Sequence, residues 1–232
     1  MLKQTALILL LTLPAAPAAT VPVLVELFTS EGCSSCPPAD LLLRRLESEQ
    51  PVSGAEIIVL SEHVDYWNHL GWRDPFSSPE YSRRQQTYAQ RFHRDGPYTP
   101  QMVVNGEAEF VGSDGKRARQ AIAMATAQAA VPVRLSWSAN KVRIEVDPGT
   151  KADVYLVTAR DEAYSTVTSG ENSGRQLGHV SVAGKLTLAG RVTPSAGVSK
   201  EIAVPASAQR VIAFVQAPDQ GRILGVAMLR QK

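Results

Sequence analysis

Cysteine is nearly absent from this chain, which has two in 232 residues, at Cys33 and Cys36. So few cannot staple a small, core-poor scaffold, and a disulfide-dense miniature fold is excluded. An excess of one charge is missing as well: 24 Lys and Arg face 22 Asp and Glu, interspersed rather than run together. Nucleic-acid binding needs clustered Lys and Arg, so no nucleic-acid partner is expected. No apolar run reaches membrane length, since the stretch Ala6 to Leu13 is too short to span a bilayer. Internal repeats and low-complexity tracts are lacking. The Gly/Ser-bearing stretch Gly170 to Arg175 has neither the Lys nor the following helix of a phosphate loop, and no Ser-His-Asp arrangement or carboxylate pair stands out. No cofactor is therefore expected.

What is present divides into three parts. Residues 1–19 combine Lys3, the apolar run and the small-residue stretch Ala15-Ala16-Pro17-Ala18-Ala19, the pattern of a secretory signal. The protein is thus expected to be secreted, into the periplasm, with no membrane span in its mature form. Residues 20–130 alternate strand-like apolar runs with helix-like stretches, the signature of an α/β arrangement. Strands are predicted at Val21–Phe28, Ile57–Leu60, Met102–Val104 and Glu107–Val111, the last two joined by the hairpin signal Asn105-Gly106. Helices are predicted from about Pro38 to Glu49, from Ser78-Pro79 to Gly96-Pro97, and from about Asp114 to Ala130. Residues 131–232 read as strands and turns, among them Val133–Trp137, Val142–Val146, Val154–Thr158, Arg210–Gln216 and Ile223–Leu229. This predicts a smaller all-β, sandwich-like second domain.

Both cysteines lie in Cys33-Ser34-Ser35-Cys36, at a predicted strand-to-helix junction. Three readings stand side by side. A structural disulfide across so short a loop contributes only about 2 kcal/mol by chain entropy. A redox pair suits the position, because a helix start stabilises the first thiolate while the second resolves mixed disulfides. A soft-metal site would need His63, His69, His93 or His179 to complete two thiolates.

The order β-α-β-α-β-β-α with Cys-x-x-Cys after the first strand resembles the thioredoxin fold, as does the segment Tyr98-Thr99-Pro100-Gln101-Met102-Val103-Val104-Asn105-Gly106. That resemblance implies a cis Pro100, with Thr99 presenting its backbone to an incoming peptide beside the disulfide. The phrases from Phe28 to Asp40, His63-Val64-Asp65-Tyr66-Trp67-Asn68, Gly71 to Ser77 and Gly170 to Arg175 are similar to those of a bacterial family of secreted thioredoxin-like proteins catalogued as a domain of unknown function. The resemblance covers essentially the whole mature chain. It implies a thioredoxin-like domain followed by a β-rich one. Two differences mark this sequence: its prolines, Pro37-Pro38, follow the cysteines rather than separate them, and residues 181–185 lack the family's more basic, Asn-containing stretch.

The expected activity is thiol–disulfide exchange with protein thiols and disulfides, Cys33 attacking as the more exposed sulfur and Cys36 resolving. His63, paired to Asp65, is the candidate proton shuttle, and Tyr66, Trp67 and Trp72 are either walls of the site or core packing. His69, His93 and His179 have no partner apparent in sequence. Glu171-Asn172-Ser173-Gly174-Arg175 is either an exposed turn or a docking loop in which Arg175 pairs a carboxylate.

Overall fold

A computed structural model describes residues 20–231. The secretory signal expected at residues 1–19 lies outside the described residues. The first half follows the expected order: β1 (Val21–Thr29), α1 (Pro37–Glu49), β2 (Ala55–His63), α2 (Pro79–Arg91), β3 (Gln101–Val104), β4 (Ala108–Val111) and α3 (Gly115–Thr126). Pro37 and Pro38 open α1, where a missing N–H leaves no bond unmade, and Ser78 caps α2 by accepting the Glu80 N–H. Asn105 and Gly106 both take positive φ, 46° and 66°, as a tight two-residue hairpin turn demands. No described helix is long and apolar enough to cross a membrane.

The second half is all strand: β5 (Arg134–Ser138), β6 (Lys141–Val146), β7 (Ala152–Thr166), β8 (Gln176–Val192), β9 (Val198–Ala203), β10 (Arg210–Gln216) and β11 (Ile223–Arg230). Its longer strands continue the sheet of the first half, giving one mixed eight-stranded sheet in the order β11-β10-β7-β8-β2-β1-β3-β4. A separate sheet for each half is therefore not seen. The seam is narrow, because β2 and β8 pair in register at Ser61 and Val182 alone. The small sheet β5-β6-β9 packs on β7 and β10 through Val142, Ile144, Val154, Leu156, Val211 and Ala213. α3 stops at Thr126 rather than Ala130 because the chain beyond is drawn to β11, where the Val131 N–H donates to Leu224 O at 2.7 Å.

Strand alternation sends Val23, Val25 and Leu27 of β1 toward α1 and α3, and Leu24 and Phe28 toward the α2 face. That second face carries a buried ionic cluster. Arg84 of α2 donates to Glu26 Oε1 through Nε at 2.8 Å, and its Nε is 3.5 Å from Glu62 Oε1. Burial, then the Glu26 carboxylate, push the Glu62 carboxyl well above its ordinary value, against the pull of Arg84. Removing the cation leaves Glu26 buried and uncompensated. Arg84→Ala should therefore cost about 3–5 kcal/mol in urea unfolding, and Arg84→Met combined with Glu26→Gln distinctly less.

Candidate active site at the cysteine pair

β1 delivers the chain into a tight loop that ends at the first turn of α1. The Cys33 N–H donates to Ser30 O, the Cys36 N–H to Cys33 O, and the Ala39 and Asp40 N–H groups to Cys36 O. Cys36 is the N-cap of α1 in αR conformation, so the helix begins at Pro37 as its prolines predict. Cys33 and Cys36 are joined as a disulfide, with Cα atoms 5.4 Å apart. Gly32 is required here, because a Cβ would stand 2.9 Å from Trp67 Cβ. Thr99–Pro100 is a cis peptide, and pairing of Phe28 with Gln101 brings Pro100 to the end of β1, just before the cysteine loop. Trp67 spans the two segments: packed on Gly32, it donates its Nε1–H to Thr99 Oγ1 at 2.8 Å.

Both cysteines are fully buried, at 0% exposure. The expectation that Cys33 is the more exposed sulfur is thus corrected. The loop between β7 and β8 is bonded onto the cysteine loop. The buried Asn172 amide donates to Glu31 O at 2.8 Å and to Cys33 O at 2.9 Å, while Glu171 Oε2 accepts the Ser34 N–H at 3.0 Å. Of the two readings of this segment, a docking loop or an exposed turn, its bonds match docking, with Arg175 donating to Asn172 Oδ1 at 3.1 Å rather than pairing a carboxylate, and so fixing the amide that docks.

Beside the disulfide lies a cluster of buried ionisable groups. Glu31 Oε2 accepts the Trp72 indole N–H at 2.8 Å, and Oε1 accepts the Ser165 hydroxyl and, at 3.2 Å, the His179 Nε2–H. His179 Nδ1 is 3.5 Å from Asp40 Oδ1, one helical turn beyond Cys36. His63 Nδ1–H donates to Asp74 Oδ2 at 2.7 Å, and that oxygen also accepts the Glu31 N–H at 2.9 Å. His63 therefore pairs with Asp74 and not with Asp65, whose carboxylate takes the Ser82 hydroxyl. The expectation for His179 also needs correction, since it is buried between two acids and its ring meets that of His63 edge-on at 4.5 Å. Nothing local in the sequence announces this, because Glu31 and His179 stand 148 positions apart. His69 and His93 are exposed and remain outside the site.

Burial pushes the Glu31 carboxyl up, but the bonds from His179, Ser165 and Trp72 outweigh it and hold it below the ordinary range. Asp74 is likewise held low, burial being outweighed by His63 and by the N–H groups of Glu31 and Phe76. Burial pushes His179 down, yet Asp40 and Glu31 together raise it to about 10. A cleft of about 170 Å³, lined by Pro37, Asp40, Leu41, Arg44, Leu177 and His179, leads to this pair. Among the described residues no three His, Cys, Asp or Glu side chains are grouped to hold a metal ion, and both sulfurs are committed to the disulfide.

A family model described as a protein of unknown function (DUF1223) matches residues 24–216. The chain belongs to this family. Among solved structures it is similar to the crystal structure of protein AGR_C_4864 from Agrobacterium tumefaciens, at 29% identity and a TM-score of 0.75, over 92% of this chain and 96% of that one. It also shares a fold with HBP35 of Porphyromonas gingivalis, at 16% identity and a TM-score of 0.55, over 93% of this chain and 76% of that one. No curated protein matches. The disulfide, cis-Pro100 and the Glu31 cluster all fall within the part of the chain that the family model spans.

The charge pattern of the cluster sets a pH dependence. His179 binds its proton more tightly folded than free, so its contribution is complete below about 6.5 and is lost as pH rises through about 10. Glu31 and Asp74, held low, contribute above their ordinary values of 4.5 and 3.8 and lose that contribution as pH falls through the folded values. Urea unfolding across a pH series should show stability declining on the alkaline side in the wild type, and a much flatter alkaline limb in His179→Gln.

Proposed function

We propose that this protein is a thiol–disulfide oxidoreductase of thioredoxin-like type, acting on protein thiols and disulfides in an oxidising compartment outside the cytoplasm. One observation carries the reading: the Cys33–Cys36 disulfide sits at the β1–α1 junction with the cis Thr99–Pro100 segment at its side. A partner thiolate attacks Cys33 Sγ, the Cys33–Cys36 bond breaks, and its electron pair leaves on Cys36, which takes up a proton. A second partner thiol, losing its proton, attacks the partner sulfur of the mixed disulfide and releases Cys33. The partner is oxidised to a disulfide, the protein is reduced by two electrons, and the reverse sequence reduces a partner disulfide. In this scheme Asp40, one helical turn beyond Cys36 and 3.5 Å from His179, exchanges the Cys36 proton. His63, held by Asp74 and edge-on to His179, positions that ring.

A second reading is favoured by the full burial of both sulfurs, namely a structural disulfide that fixes the loop into α1. Equilibration with glutathione separates the two. An oxidoreductase should titrate between about −120 and −270 mV, whereas a structural bond falls below about −300 mV. In cells, Cys36→Ser should accumulate mixed disulfides with other proteins, and Cys33→Ser almost none. Equal trapping by the two variants, or trapping by neither, argues for the structural bond.

A further inference from the structure

The loop joining β7 to β8 has two buried side chains, Val167 and Asn172, while Glu171, Ser173, Gly174 and Arg175 are exposed. Asn172 places both of its amide protons on carbonyls of the cysteine loop, Glu31 and Cys33, and Glu171 takes the one N–H of Ser34. Those three bonds, together with the Ser169 hydroxyl donating to Gly71 O at 2.5 Å, seat the loop on the cysteine loop, whose disulfide has no accessible surface. A thiolate attacks a disulfide in line with the bond it breaks, and a disulfide without accessible surface offers it no such approach.

The loop is otherwise tied mainly to itself. Val167 N–H donates to Arg175 O at 3.0 Å, Gly174 N–H to Val167 O at 2.8 Å and Ser173 N–H to Gly170 O at 3.2 Å. It turns at Gly170 and Gly174, both at positive φ. The strands below it are anchored separately, by Arg44 to Glu162 at 2.8 Å and by Arg210 to Glu47 and Asp161. A tip on an anchored hairpin, hinged at the buried Val167 and held down by four hydrogen bonds, can open without unpairing the strands below it.

We propose that residues 167–175 form a lid over Cys33–Cys36. Its seat, the carbonyls of Glu31 and Cys33 with the N–H of Ser34, is the strip on which an extended polypeptide partner docks once the lid lifts. A polypeptide carries main-chain donors and acceptors that replace the groups of Asn172 and Glu171; a small thiol does not. The identity of the partner rests on the oxidoreductase reading, but the occlusion does not.

The test is the rate at which the oxidised mature protein is reduced, read as the mass shift on alkylation. Asn172→Ala, which removes two of the four bonds, should be reduced by dithiothreitol on the order of tenfold faster than wild type. Glu171→Ala is an exposed change that spares the core and should give roughly two- to fivefold; it decides the matter if Asn172→Ala does not fold. Wild-type rates in both variants overturn the lid. In the wild type a short unstructured bis-cysteine peptide should reduce the disulfide faster than dithiothreitol at equal thiolate, and equal rates overturn the docking strip. Acceleration by Asn172→Ala together with a potential as low as that of structural disulfides keeps the lid and removes the oxidoreductase reading instead.

Discussion

The carboxylate of Glu31 is where the two halves of the chain are chemically joined. It is fully buried, two residues before Cys33, and its partners come from the Trp72 segment, from β7 through Ser165 and from β8 through His179. Its own N–H reaches Asp74, which holds His63, and its carbonyl receives Asn172. A buried charge is tolerated only when its lone pairs are satisfied, so each of these groups depends on the others being in place. The narrow seam between β2 and β8 gains much of its fixity from this hub, since the strand ladder there is one residue pair long.

The other face of the sheet repeats the device with opposite chemistry. There a cation, Arg84, lies at the centre and carboxylates surround it, and Tyr88 and Gln216 complete the bonding. α2 thereby ties β1 to β10, and Tyr81 reaches across to the Gly184 carbonyl of β8. The first cluster lies beside the disulfide and shares Glu31 with the loop bonded to it. The second is remote from the cysteines and serves cohesion between the halves.

Covering the disulfide reconciles two observations that point in different directions. A Cys-x-x-Cys at a strand-to-helix junction beside a cis-proline is suited to exchange, and full burial is suited to permanence. A cover held by one amide, one carboxylate and one hydroxyl, with a tip otherwise bonded to itself, supplies burial without locking the bond into the core.

Local chemistry alone determined the elements of the first half. Pro37-Pro38 set where α1 starts, Ser78-Pro79 where α2 starts, and Asn105-Gly106 where the hairpin turns, because each acts through its own backbone. The cysteine pair and Pro100 were legible for the same reason. β8 and most of β7 were not. Two register shifts, at Val154/Tyr155 and Val157/Ala159, break the two-residue alternation, and their protruding ends carry exposed Glu162 and Tyr164, so the pattern reads as polar loop. The partners of His63 and His179 and the seat of Asn172 were decided only by tertiary structure. A buried side chain takes whichever partner the packing of distant strands brings within hydrogen-bond reach, and separation along the chain carries no record of that choice.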